Sequence, residues 1–332
     1  MKNRSTIIYI LSRVLQFVIF MIILSIIVFV LARLAPGDPL FAYYGDAVDR
    51  MSTEQKIKAI ERLALDRPII EQYFNWASNA LHGDFGLSYI YKQPVTQVIS
   101  KLWFNTLLLG GISYIVTFFF ATLLGIYCAG KEGRFIDTVI YKVGTVTTLI
   151  PTFFVALLCI LVFAVNLGIL PSSGAYSIGM RNDVPDRIIH LILPVFVMTF
   201  SHLWYYAYII RNKAIDEMRK DYVSLLKIKG LTKNQILYKH CFKNLLPSLI
   251  TIMTISIPHI IAGTYIVELV FGYPGLGTLA FESARYKDYN MLSIITLITG
   301  CAVIASGIIG HEISAAIDPQ MRHEKNYEKK AS

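Results

Sequence analysis

Between its charged residues this chain runs uncharged for long distances, and six of those runs are of a length that crosses a membrane. They are Val14–Ala32 (19 residues), Leu102–Gly130 (29), Val143–Met180 (38), Ile188–Ile210 (23), Asn244–Val267 (24) and Tyr289–His311 (23). An α-helix needs about 20 apolar residues to traverse the hydrocarbon core. Only 16% of the residues are charged, against about 25% in ordinary globular domains, so a soluble surface of this size is not available. The 38-residue run is long enough for two spans. However, Pro151, Asn166 and the run Pro171-Ser172-Ser173-Gly174 predict one helix near 143–165 followed by a loop. The expected fold class is an all-α integral membrane protein with six transmembrane helices. The first span exceeds the roughly 7–15 apolar residues of a secretory signal and no small-residue cleavage site follows it, which makes it an uncleaved anchor.

The net charge of +9 raises nucleic acid as a partner, and its distribution argues against that. Lys2, Arg4 and Arg13 precede the first span, and Lys131, Arg134 and Lys142 lie between the second and third. Nine basic residues lie between Arg211 and Lys243, against Asp216, Glu217 and Asp221. The two short loops on the other side carry Arg181, Arg187, Arg285 and Lys287, balanced by Asp183, Asp186, Glu282 and Asp288. This asymmetry is the positive-inside pattern; it predicts both termini in the cytoplasm of a multi-pass cell-membrane protein. The partner it implies is a lipid bilayer, with no nucleic acid. Cys128, Cys159, Cys241 and Cys301 fall in or beside spans or in a cytoplasmic loop, where they read as small buried hydrophobes.

Residues 33–101 form the longest polar segment and are expected outside. Ser52-Thr53-Glu54-Gln55 is a capping box ahead of Ile57, Ile60, Leu63 and Ala64 at helical spacing. Asp66-Arg67-Pro68 then starts a second helix with Ile70, Tyr73, Phe74, Ala77 and Leu81 on one face. Two short helices bury little by themselves, so a small helical cap packed on the spans is expected.

The basic loop is the most informative stretch. Tyr222, Leu225 and Leu226 share a helical face between Asp221 and Lys229, and Gly230 ends that helix. Thr232-Lys233-Asn234-Gln235 opens the next with a capping box, and Leu231 and Ile236 are placed as its hydrophobic staple. Pro247 stands where the chain is expected to enter the following span. An apolar face in water calls for a cover: the bilayer surface, the chain's own bundle, or a partner's groove.

These residues also carry a resemblance. Asp221-Tyr222-Val223, Lys229-Gly230-Leu231, His240, Asn244 and Leu246-Pro247 resemble the coupling loop of binding-protein-dependent ABC importer permeases of the dipeptide, oligopeptide and nickel family. Further matches are Arg33-Leu34-Ala35-Pro36-Gly37-Asp38-Pro39, Gly83-Asp84-Phe85-Gly86-Leu87-Ser88 with Pro94-Val95, Phe271-Gly272-Tyr273-Pro274-Gly275-Leu276-Gly277, and Asp318-Pro319-Gln320-Met321-Arg322. Where the wider superfamily has Glu-Ala-Ala, Ser224, Leu225 and Leu226 stand here. The resemblance implies a type I importer permease that is not itself an enzyme and needs no cofactor. Its implied partners are a second permease, two cytoplasmic ATPase subunits and an extracytoplasmic substrate-binding protein. Residues 1–101 would be an anchor and outer helical segment, 102–311 the permease core with coupling loop 211–247, and 312–332 a cytoplasmic tail. Asp221, Tyr222, Leu225, Leu226, Lys229, Gly230, Leu231, His240, Asn244 and Pro247 would then serve ATPase coupling. Peptides are the implied substrates, with nickel or a metal chelate as the alternative; an ATP-independent carrier is the reading from a different class.

Glu268, at the end of the fifth span beside Phe271, Pro274, Gly275 and Gly277, reads either as an interfacial end residue or as part of an outer gate. Pro258 and Gly263 could bend that span or allow close helix contact. Gly125–Lys131 imitates a phosphate loop, but it ends a span and is followed by Glu132 rather than Ser or Thr. His311-Glu312 lacks the second histidine of a zinc-protease helix, since Ala315 occupies that place. His190, His202 and His259 sit on separate apolar runs and read as satisfied by backbone or water, with no metal site.

Overall fold

The computed structural model describes residues 2–34, 39–62 and 66–317. Residues 35–38 of the first matching motif, Leu63 and Ala64 of the first outer helix, and the Asp318–Arg322 motif lie outside them. The described residues are almost wholly helical. In chain order they form α1 (Lys2–Leu34), α2 (Pro39–Tyr44), a 3-10 segment (Gly45–Arg50), α3 (Thr53–Arg62), α4 (Ile69–Leu81) and α5 (Val95–Gly130). Then follow α6 (Phe135–Thr147), α7 (Thr152–Cys159) with a π-helical continuation (Ile160–Asn166), α8 (Val184–Met218) and α9 (Asp221–Ile228). The chain continues through α10 (Lys233–Gln235), a π-helical turn (Ile236–Cys241), α11 (Phe242–Val270), α12 (Leu276–Arg285) and α13 (Tyr289–Ile317).

Among the described residues five helices are long and apolar enough to cross a membrane. Counting α6 with α7 and its continuation as one broken span gives six. That pair corrects the expectation of a single helix near 143–165, because α6 and α7 meet at 100°. Pro151 has no N–H for a carbonyl one turn back, and it disfavours helix at Ile150. The threonines ahead of it turn inward on the backbone: Thr147 Oγ1 donates to Val143 O at 2.9 Å, and Thr148 Oγ1 to Thr145 O at 2.8 Å. Such back-bonding bends helices, and here the helix ends.

The chain divides into two compact units, Met1–Thr106 with Pro274–Ala305, and Leu107–Tyr273 with Ser306–Ser332. In the first, α4 packs on α1: the Phe29 ring lies 5.5 Å from those of both Tyr73 and Trp76, and the Tyr73 hydroxyl is 2.8 Å from Ser25 Oγ. The segment between α1 and α5 therefore leans on a span, as short helices must. The Ser52–Gln55 capping box forms, with Gln55 N–H to Ser52 Oγ at 3.2 Å and Ser52 N–H to Gln55 Oε1 at 2.9 Å. The Gly83–Ser88 motif closes on α13. Buried Asp288 accepts the Ser88 hydroxyl at 2.5 Å and the Ile90 N–H at 3.2 Å.

The second unit is organised around α8. Helix α5 meets it at Gly125, where a Cβ would come within 2.8 Å of the Ala207 carbonyl, and α11 meets it at Gly263, where a Cβ would come within 2.8 Å of His202. Small residues at such crossings let backbones approach, which is how helices associate when lipid removes the hydrophobic drive. Pro247, expected where the chain enters this span, lies inside α11 near its start. The carbonyl that this proline leaves without a donor belongs to exposed Lys243 near the helix start, where polar surroundings can satisfy it.

Candidate functional site

The segment 211–247 builds a corner of two helices. Asp221 stands in the first turn of α9 and Lys227 in its last, each complementing the helix dipole. The end of α9 is a Schellman motif: Leu231 N–H donates to Leu226 O at 3.2 Å and Gly230 N–H to Lys227 O at 2.9 Å. Gly230 takes φ +82°, a left-handed conformation that side chains with a Cβ resist. Leu226 and Leu231 both pack on the core of the unit, supplying the apolar contact that accompanies this motif. Thr232 then caps the next helix: Gln235 N–H donates to Thr232 Oγ1 at 3.3 Å, and Thr232 N–H to Gln235 Oε1 at 2.9 Å. The predicted corner is thus present, and its staple residue Ile236 is fully buried.

The predicted shared face of Tyr222, Leu225 and Leu226 is divided by the structure. Tyr222, Val223 and Leu226 pack inward on the core, whereas Leu225 is 62% and Ile228 83% exposed. At about 100° per residue, Tyr222, Leu226 and Val223 occupy one arc, and Leu225, Asp221 and Ile228 the arc beside it. The sequence reading did not include Ile228, although its spacing of three from Leu225 was the signal. Asp221 and Lys229 are exposed, His240 is half-buried and Asn244 exposed.

Inward-facing Tyr222 ends in a polar knot. Its hydroxyl donates to Glu217 Oε1 at 2.9 Å and lies 3.4 Å from Cys241 Sγ. The other carboxylate oxygen of Glu217 is 2.7 Å from Lys220 Nζ, and the Asn244 side chain bonds to both Glu217 and Tyr222. Burial, followed by the Cys241 and Glu217 contacts, raises the Tyr222 hydroxyl above the ordinary tyrosine pKa, so it stays protonated and able to donate.

Two ion pairs fasten the start of α6 and the turn before it to the C-terminal end of α8. Arg211 grips Asp137 with two bonds, Nε to Oδ1 at 2.6 Å and a terminal nitrogen to Oδ2 at 2.5 Å, while Gly133 N–H adds a third at 3.1 Å. Arg219 meets Glu132 at 2.7 Å. The charge distribution that orients the spans includes Arg211 and Arg219 but not their partners; pairs 74 and 87 residues apart leave no local pattern.

The second predicted group falls in both units. In the unit containing α11, Glu268 and Phe271 are buried. The Glu268 carbonyl accepts Tyr273 N–H at 2.8 Å and the Phe271 carbonyl accepts Gly174 N–H at 2.9 Å. Burial pushes the Tyr273 hydroxyl up to about 12. In the other unit, the Pro274 carbonyl accepts Asn105 Nδ2 at 2.7 Å, and Gly275 N–H donates to Thr278 Oγ1 at 2.9 Å as α12 begins. Gly277 is buried within α12. Two of the three span histidines bond to backbone: His190 Nδ1 is 2.9 Å from Asp186 O, and His202 Nδ1 is 2.9 Å from Met198 O. Among the described residues no group of three or more His, Cys, Asp or Glu side chains is placed to hold a metal.

Comparison with known proteins places this geometry. Residues 121–323 match the family model described as binding-protein-dependent transport system inner membrane component, and residues 6–110 match the model for the N-terminal part of such membrane components. The oligopeptide transport system permease protein AppB of Bacillus subtilis (strain 168) is 33% identical over 95% of this chain and 99% of its own length. The glutathione transport system permease protein GsiC of Escherichia coli (strain K12) is 29% identical over the same shares. Among solved structures, a chain of the inward-facing MetNI methionine ABC transporter superposes with a TM-score of 0.53 at 16% identity, covering 67% of this chain and 97% of that one. That likeness shows a shared fold.

Proposed function

The chain belongs to the family of binding-protein-dependent transport system inner membrane components, and from that premise we propose that it is one of two membrane-spanning subunits of an ATP-driven importer of peptides. The observation that carries the coupling half is the outward arc of α9. Leu225 and Ile228 project from a two-turn helix whose opposite face is fixed to the bundle and whose end is locked by the Gly230 corner. An amphipathic helix held in this way suits a groove on an ATPase subunit, where apolar anchors give affinity and a stiff corner passes on displacement. Gly125–Lys131, the run that imitates a phosphate loop, closes α5, with Gly125 packed on α8. The substrate class is supported by the relatives that share 95% of the chain, named for oligopeptide and for glutathione. The assembly would include a second permease, two ATPase subunits and an extracytoplasmic binding protein. Residues 1–101 are the anchor and outer segment, 102–311 the core and 312–332 a cytoplasmic tail. Glu268, Phe271, Pro274, Gly275 and Gly277 are proposed as outer-gate positions. A tag on this chain is expected to co-purify ATP-hydrolysing subunits; recovery of the intact permease with no ATPase would contradict the reading.

The same reading puts both termini and α9 in the cytoplasm and residues 33–101 outside. In a cysteine-free variant, single cysteines at Asp49 and Lys233 are expected to react with an impermeant thiol reagent from opposite sides of the membrane. Both positions are exposed in this chain, and labelling of the permease stripped of its partners keeps both reachable. Labelling of the two from one side would overturn this orientation.

A further inference from the structure

A helix pushed from one side can slide over apolar neighbours, because dispersion contacts are individually weak and hydrophobic contact is non-directional. Val223 and Leu226 hold α9 in that way. The link Arg219-Lys220 between α8 and α9 fixes their distance but not their angle. One group on the inner face is directional. The Tyr222 hydroxyl, in the first turn of α9, donates at 2.9 Å to Glu217 in the last turn of α8 and lies 3.4 Å from Cys241 in the π-helical turn that leads into α11. Glu217 is buried, and Lys220 at 2.7 Å balances the charge on its other oxygen. A buried hydroxyl is costly unless bonded, and a bond to a carboxylate is among the stronger and more orienting contacts available. Phenylalanine would pack as well against the core, so packing alone does not explain the hydroxyl.

We propose that Tyr222 is the positioning residue through which displacement of α9 is passed to α8 and α11, its hydroxyl fixing the angle of α9 against Glu217 and the Cys241 turn. The inference rests on the coupling reading above. It assigns the two faces of α9 different tasks: Leu225 and Ile228 hold the ATPase subunit, and Tyr222 transmits its movement.

The test uses the assembled transporter, purified through this chain with its ATPase subunits and binding protein and placed in proteoliposomes, with radiolabelled tetra-alanine as the transported probe. The quantity read is peptide taken up per ATP hydrolysed. In Tyr222→Phe the ATPase subunits are expected to remain attached and hydrolysis to continue, while uptake per ATP falls about tenfold or more, the scale of losing one hydrogen bond to a charged group. Glu217→Ala is expected to match it, and the double variant to be no worse than either single one. Glu217→Gln keeps an acceptor for the hydroxyl and is expected to retain more of the coupling than Glu217→Ala. Unchanged uptake per ATP in Tyr222→Phe overturns the proposal. So does loss of assembly or of thermal stability in Tyr222→Phe, which would make the hydroxyl a folding contact only. Failure of the docking reading looks different: the ATPase would stay attached when Leu225 is made acidic, whatever Tyr222→Phe does.

Discussion

Leu225→Asp is expected to strip the ATPase subunits from the purified permease while leaving the permease itself as stable as before. The side chain is 62% exposed in this chain, so the substitution removes little internal packing, and surface changes of that kind stay within about 0.5 kcal/mol. In an apolar groove the same carboxylate is unpaired and desolvated. Losing an interface anchor costs about 2 kcal/mol or more, and burying an unpaired charge adds to that. A total of about 3 kcal/mol weakens association roughly a hundredfold. Ser224→Asp, exposed but outside the Leu225–Ile228 arc, is expected to be milder. A pull-down of ATPase activity beside a thermal melt of the permease separates the outcomes. Lowered permease stability with full ATPase recovery would favour a bilayer-surface role for α9, and normal recovery with normal transport would remove the docking role.

The second large effect is expected at Arg211, about two turns before the C-terminal end of α8. Asp137→Ala leaves the Arg211 guanidinium, with its side chain 21% exposed, facing a pocket that no longer holds a carboxylate. Removing one member of a buried pair costs about 3–5 kcal/mol in well-enclosed cases, and the partial exposure of Arg211 puts the expected loss near the lower end, about 3 kcal/mol. Arg211→Ala is expected to be at least as damaging, because the Asp137 carboxylate is the more deeply buried partner and would keep only the Gly133 N–H. The double variant Asp137→Leu/Arg211→Met removes both charges and is expected to recover much of the loss. Chemical or thermal unfolding of the detergent-solubilised chain measures all three. If Asp137→Ala melted with the wild type, the pair would not be holding the start of α6 to α8.

The contrast between these two sites reflects what a sequence can carry. The spans were legible because a hydrocarbon layer demands uncharged runs of a set length. The corner at Gly230 was legible because each of its parts, a left-handed glycine followed by Thr232 and Gln235, is local. Which arc of α9 faces the core was not. Helical spacing groups Tyr222, Leu225 and Leu226, but only the position of α8 and α11 decides that Leu225 and Ile228 remain outside. Asp137 and Arg211 meet through the crossing of α6 and α8, a tertiary event with no local trace. Pro151 and Pro247 show the same limit from another direction. Both can break a helix, but only Pro151 does so; it comes directly after threonines that have turned back on their own carbonyls.

The carrier alternative and the importer differ in what drives uptake, and that can be measured directly. Proteoliposomes holding the complex purified through this chain, with binding protein and radiolabelled tetra-alanine on the side of residues 33–101, are supplied on the other side with ATP or with ADP. Uphill accumulation with ATP and none with ADP is the expected result, and Leu225→Asp is expected to abolish it. Equal accumulation with ADP, sustained by an ion gradient alone, would contradict the account.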